Sequence, residues 1–454
     1  MTIIIFRFDI FDTNNQKRRR YKMKNKNLSL ILAITMLLIL SNHSLFAAEK
    51  SRPKGLDLIR LATQRPEGWW QIYLDSGYDM YPYSIVETRE GSFAAVGYTY
   101  QPGGAHGINQ EGFLLMTDSQ GKTLSRRYIP DTEHFDGVKA IDTTSDNGFI
   151  TAGFFNGDLG AYDGYLAKLD ANGQEQWHKE FGGIYSDYFT DVQRTADSGY
   201  AVVGKNSSVD GSFQAYMVKT DINGNEEWSK TLKLTDDPVD SADGFNGVKQ
   251  TSDGGYILIG ESVHSDPKDA GFIYVNAAMK LNRDGEVEWR QIFDTHIALN
   301  RIIQLNDGTF LAVGFLEDDI DTYKFDMTAV RLDTEGNIIW NKTYEIEGKN
   351  SSGTAVQQLD NGNIFLFGYS EFGYEKDFYI VQINENGERI SSHTMDTGYE
   401  ETLLNAQKTA DGGFILCGYV SANSNFDADR VIMVKTDSQG HAPMGEFKIK
   451  QLFP

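Results

Sequence analysis

The sequence predicts an all-β protein: a seven-bladed β-propeller built from four-stranded antiparallel blades. Three observations lead to this fold class. A ten-residue segment ending in Gly recurs seven times, and a second turn motif lies within each period. The composition combines 45 Gly with 27 Phe and 23 Tyr but only 9 Pro. Many short strands joined by glycine turns have this composition, whereas helical or disordered chains do not.

The first repeated segment places turn residues before a short apolar strand that ends in Gly, as in TSDGGYILIG and TADGGFILCG. The seven copies end at Gly97, Gly153, Gly204, Gly260, Gly314, Gly368 and Gly418. Successive copies lie 50 to 56 residues apart. A fixed period of this length is typical of propeller blades, which stack because no blade can bury both of its faces alone. Seven copies therefore predict seven blades.

The second motif is an apolar strand followed by Asp or Asn, a Gly three residues later and often a Trp, as in YLAKLDANGQEQW. Asp opening a short turn and Gly with a positive φ are typical of β-hairpins. Each period thus holds two hairpins, and we name its strands A, B, C and D in chain order. Five Trp are predicted to share one place on strand D and to pack between blades: Trp70, Trp177, Trp228, Trp289 and Trp340.

The two ends of the repeat array are complementary. The last copy stops after VIMVKTDSQGH without a strand D, and GWWQIY at residues 68–73 is a strand D without a preceding strand C. The N-terminal strand is therefore predicted to complete the last blade. Residues 67–454 are predicted to form a single propeller domain.

The first 47 residues differ from the rest, with 8 Lys or Arg against 2 Asp. A basic segment from Met23, 13 mostly apolar residues from Leu28 to Leu40 and small residues near Ala47 predict a secretory signal peptide over 23–47. Residues 1–22 are interpreted as an upstream extension and 48–66 as a linker. Thirteen residues are short for a membrane span, which favours cleavage and export to the periplasm or the exterior over an uncleaved anchor.

The repeat resembles that of secreted bacterial β-propeller proteins, whose blades read roughly T-x-D-G-G-Y-x-x-x-G and then D-x-Y-x-x-K-x-D-x-x-G-x-x-x-W. The strings TSDGGYILIG and DGYLAKLDANGQEQWHKEFGG carry the resemblance. It implies a propeller and an exported protein, and it implies no chemistry at any residue. KLDANGQEQW also resembles the tryptophan-docking repeat of quinoprotein dehydrogenases, but the Thr before Gly is missing.

Charge and cysteine content exclude several functions. The formal net charge is −22, which argues against nucleic acid and anionic membranes as partners. The single Cys excludes an internal disulfide and a Cys-rich metal or redox centre. We expect a monomer without a stable membrane span.

Any binding site is expected on the face that carries the variable B-to-C and D-to-A loops, called here the loop face. The opposite face, called here the turn face, carries the DGG and DxxG turns, whose sequences are nearly constant. Four acids recur 17 residues before the repeat Gly, at the start of strand A: Asp136, Asp187, Asp243 and Glu401. We predict that they hold a cation such as Ca²⁺, because converging carboxylates repel one another. The alternative is that each accepts hydrogen bonds from its own crossing loop.

Five further residues of the loop face are candidate ligand contacts. They are Tyr185, Tyr188, Phe245, His134 and His296. No HExxH, GxSxG or Walker motif occurs in the sequence, so no catalytic residue is assigned.

The predicted function is an exported, non-catalytic propeller that binds a protein, peptide or glycan through an acidic loop face. The alternative is an enzyme with its site at the channel mouth: a metal-dependent hydrolase or lactonase, or a quinoprotein.

Overall fold

The computed structural model describes the chain over residues 7–12, 17–22, 68–73, 78–102, 108–129, 136–156, 161–182, 184–207, 212–236, 242–265, 272–319, 324–373, 375–421 and 428–442. The chain separates into two compact units, Met1–Gly55 and Leu56–Pro454. In the first, β1 (Arg7–Asp12) and β2 (Lys17–Lys22) form an antiparallel hairpin. The predicted signal peptide (23–47) and linker (48–66) lie outside the described residues.

The second unit is the predicted propeller, with seven four-stranded antiparallel sheets. Blade 1 contains β4 (Met80–Glu87), β5 (Phe93–Pro102), β6 (Ile108–Thr117) and β7 (Thr123–Tyr128); blade 2 contains β8 (Gly137–Thr143), β9 (Phe149–Asn156), β10 (Tyr162–Leu169) and β11 (Glu175–Phe181). Blade 3 contains β12 (Asp187–Arg194), β13 (Tyr200–Ser207), β14 (Phe213–Thr220) and β15 (Glu226–Leu232); blade 4 contains β16 (Ala242–Gln250), β17 (Tyr256–Ser265), β18 (Phe272–Leu281) and β19 (Val287–Ile292).

Blade 5 contains β20 (Ile297–Gln304), β21 (Phe310–Asp319), β22 (Lys324–Leu332) and β23 (Ile338–Thr343); blade 6 contains β24 (Asn350–Gln358), β25 (Ile364–Phe372), β26 (Glu375–Ile383) and β27 (Arg389–Met395). Blade 7 contains β28 (Glu401–Lys408), β29 (Phe414–Val420), β30 (Arg430–Thr436) and the N-terminal strand β3 (Trp69–Tyr73). The predicted ring closure is thus confirmed. Across the described ranges there is no helix, so none is long and apolar enough to span a membrane.

The A strands form the inner wall of the ring. Each A strand contacts the A strands of both neighbouring blades, and β28 of blade 7 contacts β4 of blade 1. Each also carries a β-bulge at the same place, between Pro82 and Ser84 in blade 1 and between Val138 and Ala140 in blade 2. A bulge re-aims one side chain. The re-aimed residues in blade order are Tyr83, Lys139, Thr190, Asn246, Asn300, Thr354 and Leu404.

The hydrophobic core is divided into seven clusters, one at each junction between blades. Trp177 on strand D of blade 2 illustrates how a junction is sealed: its ring packs against Gly224 in the C-to-D turn of blade 3. Gly224 has a φ of +75°, and a Cβ there would lie 2.5 Å from the Trp177 ring. Only Gly meets both demands. The D-strand Trp are therefore inter-blade packing residues, as predicted.

For one of the five Trp, the predicted place on strand D is wrong by one position. Trp69, not Trp70, pairs with Lys435 on β30, as Trp177 pairs with Lys168 on β10. Trp69 is buried, packs against Gly121 of blade 1 and donates a hydrogen bond from Nε1 to the Ser119 carbonyl at 2.9 Å. The side chain of Trp70 lies outside the described residues. Trp69 therefore seals the junction between the last blade and the first.

Candidate functional site

The acids of the turn face are structural, as expected. Asp170 Oδ1 accepts hydrogen bonds from the backbone N–H groups of Asn172 and Gln174, both at 2.8 Å. Asp253 Oδ1 accepts from the Gly255 N–H at 2.9 Å and from Thr251 Oγ1. These bonds satisfy the turn and leave the carboxylates on the face opposite the variable loops.

In five blades, a buried Lys or Arg side chain on strand C forms an ion pair with a carboxylate of the turn face. Lys280 Nζ lies 2.9 Å from both Asp253 Oδ2 and Glu288 Oε2 and donates to the Leu281 carbonyl at 3.1 Å. The cations at this place are Lys168, Lys219, Lys280, Arg331 and Lys435, and each is paired with the turn carboxylate of its own blade. A buried charge in this protein is thus normally accompanied by a carboxylate.

The four predicted metal ligands occupy one equivalent position, two residues before the A-strand bulge, and all four are buried. Asp136 accepts a hydrogen bond from the Gly112 N–H at 3.2 Å, and Asp243 accepts one from the Leu234 N–H at 3.0 Å. Glu401 accepts from the N–H groups of two residues in its crossing loop. The donors to Asp243 and Glu401 lie in their own crossing loops, as the alternative expectation has it, whereas the donor to Asp136 lies on β6 of the preceding blade.

Glu401 alone among the four belongs to a group of acids that could share a metal ion, as judged over the described residues. Its neighbours are Asp377 on β26 and Asp396 in the crossing loop between blades 6 and 7. Burial and the charges of Asp396 and Asp377 raise the pKa of Glu401 to about 9. The sequence did not indicate these two partners, because they stand in other strands and loops and outside the 17-residue spacing.

The predicted ligand contacts have different outcomes. Phe245 is not accessible to a ligand: it is fully buried in the core between blades 3 and 4, because its side chain covers the face of blade 4 that packs on blade 3. Tyr185 lines a shallow pocket on the loop face together with Asp187, and His296 is exposed beside Asp294 at 2.8 Å. Tyr188 is half-buried in an aromatic cluster, described below. His134 lies outside the described residues.

The structure places a different set of residues at the loop-face end of the channel, called here the channel mouth. Half-buried tyrosines from blades 1 and 7 meet there. Tyr83, the bulge residue of blade 1, donates a hydrogen bond to the Tyr98 hydroxyl at 3.1 Å. The Tyr81 ring lies 5.5 Å from that of Tyr98 and 5.1 Å from that of Tyr419. Burial is the main cause that raises the pKa of Tyr83 and Tyr98, so both are neutral donors at physiological pH.

A second aromatic cluster at the mouth comes from blades 2 and 3. The Tyr188 ring lies 5.3 Å from the rings of both Phe154 and Tyr162 and 5.9 Å from that of Phe213. All but Phe154 are partly exposed. The two clusters give the mouth several flat apolar surfaces, each with hydroxyl groups at its edge.

Lys139 joins the two clusters. It is the bulge residue of blade 2, and its Nζ lies 3.6 Å from the ring centroid of Tyr83 and 6.0 Å from that of Phe154. Lys205, in blade 3, places its Nζ 4.5 Å from the Phe213 centroid. Both are cation–π contacts. Within the described part of the chain, no carboxylate lies in salt-bridge distance of either lysine, in contrast to the five paired strand-C cations.

The electrostatics of the mouth follow from these contacts. Burial, together with the charge of Lys205, lowers the pKa of Lys139 to about 8. Burial also lowers the pKa of Lys205, although Glu261 acts in the opposite direction. Two desolvated cations that repel each other, with no carboxylate in salt-bridge distance among the described residues, form a site suited to an anionic group. A sequence signal for this site existed: the residue after the repeat Gly is aromatic in five of seven copies, and it is Lys205 in a sixth.

The channel below the mouth holds a cavity of about 220 Å³. Its wall comes from the A strands and includes Asp142, Asp191, Lys249 and Arg301. Asp191 Oδ2 accepts a hydrogen bond from the Val248 N–H at 3.0 Å, and Arg301 donates to the Asn246 carbonyl at 2.8 Å. The charges of the wall are therefore engaged in joining the blades.

No protein-family model matches the chain, and no protein of curated function matches it. Solved structures do match. A polysaccharide lyase of a family that degrades ulvan has 11% identity and a TM-score of 0.51, covering 80% of this chain and 96% of that one. The polysaccharide lyase Uly1 has 9% identity and a TM-score of 0.48, covering 78% and 89%. A protein of unknown function from Bacteroides caccae has 12% identity and a TM-score of 0.38, covering 64% and 93%. At these identities the likeness concerns the fold alone.

Proposed function

We propose that this protein is an exported, glycan-binding propeller whose site is the channel mouth, and that its ligand is an oligosaccharide carrying carboxylate or sulfate groups. The observation that carries the proposal is the pair Lys139 and Lys205, desolvated among aromatic rings and without a carboxylate in salt-bridge distance among the described residues. Keeping a buried lysine unpaired is costly unless a ligand supplies the counter-charge.

The aromatic rings favour a sugar over other anions. Partly exposed Tyr and Phe rings offer flat apolar surfaces on which the C–H face of a pyranose can stack, and tyrosine hydroxyls supply hydrogen bonds to sugar hydroxyls. The net charge of −22 argues against a long polyanion such as nucleic acid, because the cationic mouth is local. A structure of the ulvan lyase is described as bound to -[GlcA(1-4)Rha3S]-, which is an acidic glycan. That description suggests a ligand class to test first.

The lowered pKa of Lys139 also favours a second candidate, an enzyme acting at the same mouth. A lysine with a pKa of about 8 can act as a general base near neutral pH. Lys139 would take the proton from the carbon that bears a uronate carboxylate, a C=C bond would form as the neighbouring C–O bond to the glycosidic oxygen breaks, and that oxygen would leave as a hydroxyl after taking a proton from water. This reaction would make the protein a lyase. The hydrolase, lactonase and quinoprotein alternatives stay predictions.

Calorimetry with the purified protein tests the proposal against glucuronate-containing, sulfated and neutral oligosaccharides. We expect binding of the acidic ones only. A charge-assisted hydrogen bond contributes about 1.5–3 kcal/mol, so Lys139→Met and Lys205→Met should each lower the affinity tenfold or more. Lys122→Met, an exposed lysine of the turn face, is the matched control.

Two results would contradict the binding site. One is that no acidic glycan binds the wild type; the other is that both mouth variants bind as the wild type does. Formation of an unsaturated uronate by the wild type, abolished in Lys139→Met, would replace the binding function by the lyase.

A further inference from the structure

The junction between blades 6 and 7 brings three carboxylates together. Asp377 lies on strand C of blade 6, Asp396 follows strand D of that blade, and Glu401 begins strand A of blade 7. One oxygen of each lies within 4.8 Å of the other two. Three elements that are distant along the chain thus converge on one point.

Glu401, a member of this group, has a buried oxygen without a hydrogen-bond partner among the described residues. The side chain is fully buried, at 0% exposure. Its Oε1 accepts hydrogen bonds from the N–H groups of Thr397 and Tyr399, both at 3.2 Å, and from the Thr397 hydroxyl. Its Oε2 has no hydrogen-bond partner among the described residues.

The charge of the cluster suits a divalent ion. Lys349 Nζ lies 2.9 Å from Asp377 Oδ2, which leaves Oδ1 of Asp377 without a hydrogen bond within the described residues. With Glu401 ionised, the three carboxylates and one ammonium would give a net charge of −2. A divalent cation would neutralise this charge and occupy the free oxygens.

We propose that Asp377, Asp396 and Glu401 bind one Ca²⁺ ion at the junction of blades 6 and 7. Calcium bonds to oxygen at about 2.3–2.6 Å, so two ligand atoms on one ion can be as much as about 5 Å apart. Magnesium demands about 2.0–2.1 Å and a tighter cage. Carboxylate oxygens spread over 4.8 Å fit the larger ion.

The proposal narrows the cation prediction made from the sequence to one junction. Asp136, Asp187 and Asp243 are equivalent to Glu401 in position, but none of them belongs to a group of three acids of this kind within the described chain. The site is separate from the glycan proposal, because the lysines of the channel mouth belong to blades 2 and 3.

The test compares the full protein in EDTA, Ca²⁺ and Mg²⁺. Isothermal calorimetry should give one Ca²⁺ per chain, and at a Ca²⁺ concentration about a hundredfold above Kd the Tm should rise by about 3 °C. Asp396→Asn should lose at least tenfold in affinity; Asp396 is exposed, so this variant should fold. Asp187→Asn, at the equivalent position of blade 3, should keep the Ca²⁺ response.

Terbium offers a second readout that does not depend on stability. Tyr399, beside Glu401, should sensitise Tb³⁺ luminescence, and Ca²⁺ should displace the ion. Absence of calcium binding by the wild type would overturn the proposal, as would an undiminished response in both Asp396→Asn and Glu401→Gln. A response abolished by Asp187→Asn alone would assign the ion to another junction and overturn it equally.

Discussion

The sharpest prediction is that replacing Lys139 by Met makes the protein more stable. Burial holds the pKa of Lys139 at about 8, against 10.5 for an ordinary lysine. Each pKa unit corresponds to about 1.4 kcal/mol, so the charged form costs the fold up to about 3 kcal/mol at neutral pH. The cation–π contact with Tyr83 offsets about 1 kcal/mol of that cost. Methionine keeps the apolar stem, so we expect a net gain of about 2 kcal/mol.

The direction of the pKa shift of Lys139 also predicts how the stability of the fold depends on pH. Between about pH 8 and pH 10.5 the folded Lys139 has lost its proton while the unfolded chain still holds it, so wild-type stability should rise with pH in this window. The advantage of Lys139→Met should therefore be complete below pH 8 and shrink towards pH 10.5. Urea unfolding, followed by tryptophan fluorescence at several pH values, measures both effects.

Lys280→Met is the matched control, since Lys280 is also a lysine on a blade strand and is more deeply buried than Lys139, but it is paired with Asp253 and Glu288. Its removal should destabilise the protein by about 2 kcal/mol or more, because the Leu281 carbonyl and the turn carboxylate lose their donor. Equal losses of stability in both variants would refute the interpretation of Lys139 as a residue kept for a ligand at the expense of the fold.

Four further outcomes are expected. Affinity for acidic glycans should fall as the pH rises above about 8, because Lys139 loses its charge; titration calorimetry from pH 6 to pH 9 measures this. Trp69→Ala should cost about 3–5 kcal/mol as a cavity between the last and first blades, measured by urea unfolding, and a similar loss in Trp177→Ala would show that both seal junctions alike. Gln304→Ala should lower stability by about 1 kcal/mol, since its Oε1 accepts the Ser252 N–H across a blade junction at 2.8 Å. Deleting residues 68–73 should expose β30 as an unpaired edge, seen as faster amide exchange there, and unchanged protection would mean that blade 7 closes otherwise.

The fold could be predicted from the sequence because each repeat contains the residue types that its turns and strands require locally. These are glycine at a positive φ, Asp at a turn and apolar residues at alternate positions of a strand. The error at Trp69 arose because two adjacent tryptophans fit one pattern. The strand has no preceding strand C in the chain to set the register, and only its pairing with Lys435 does so.

The site was harder to predict because it depends on distances around a ring. A buried acid such as Asp136 and an exposed loop acid look alike in a sequence. The 17-residue spacing does not tell which of these acids has other carboxylates near it in space. Lys139 was missed for a different reason. A bulge re-aims its side chain into the mouth, and the extra residue shifts the two-residue alternation from which side-chain directions are predicted.

The pairing of β3 with β30 also constrains how the chain matures. During synthesis, residues 69–73 emerge before any complete blade, and their partner strand at residues 430–436 emerges after all the other strands of the propeller. The strand must therefore stay unpaired, without joining an earlier blade, until the other end of the array arrives. A chain that lacks the strand at residues 430–436 would lose the partner of β3. It would also lose the packing of Trp69 against blade 1, which depends on that pairing. The ring can therefore close only after the strand at residues 430–436 has been synthesised.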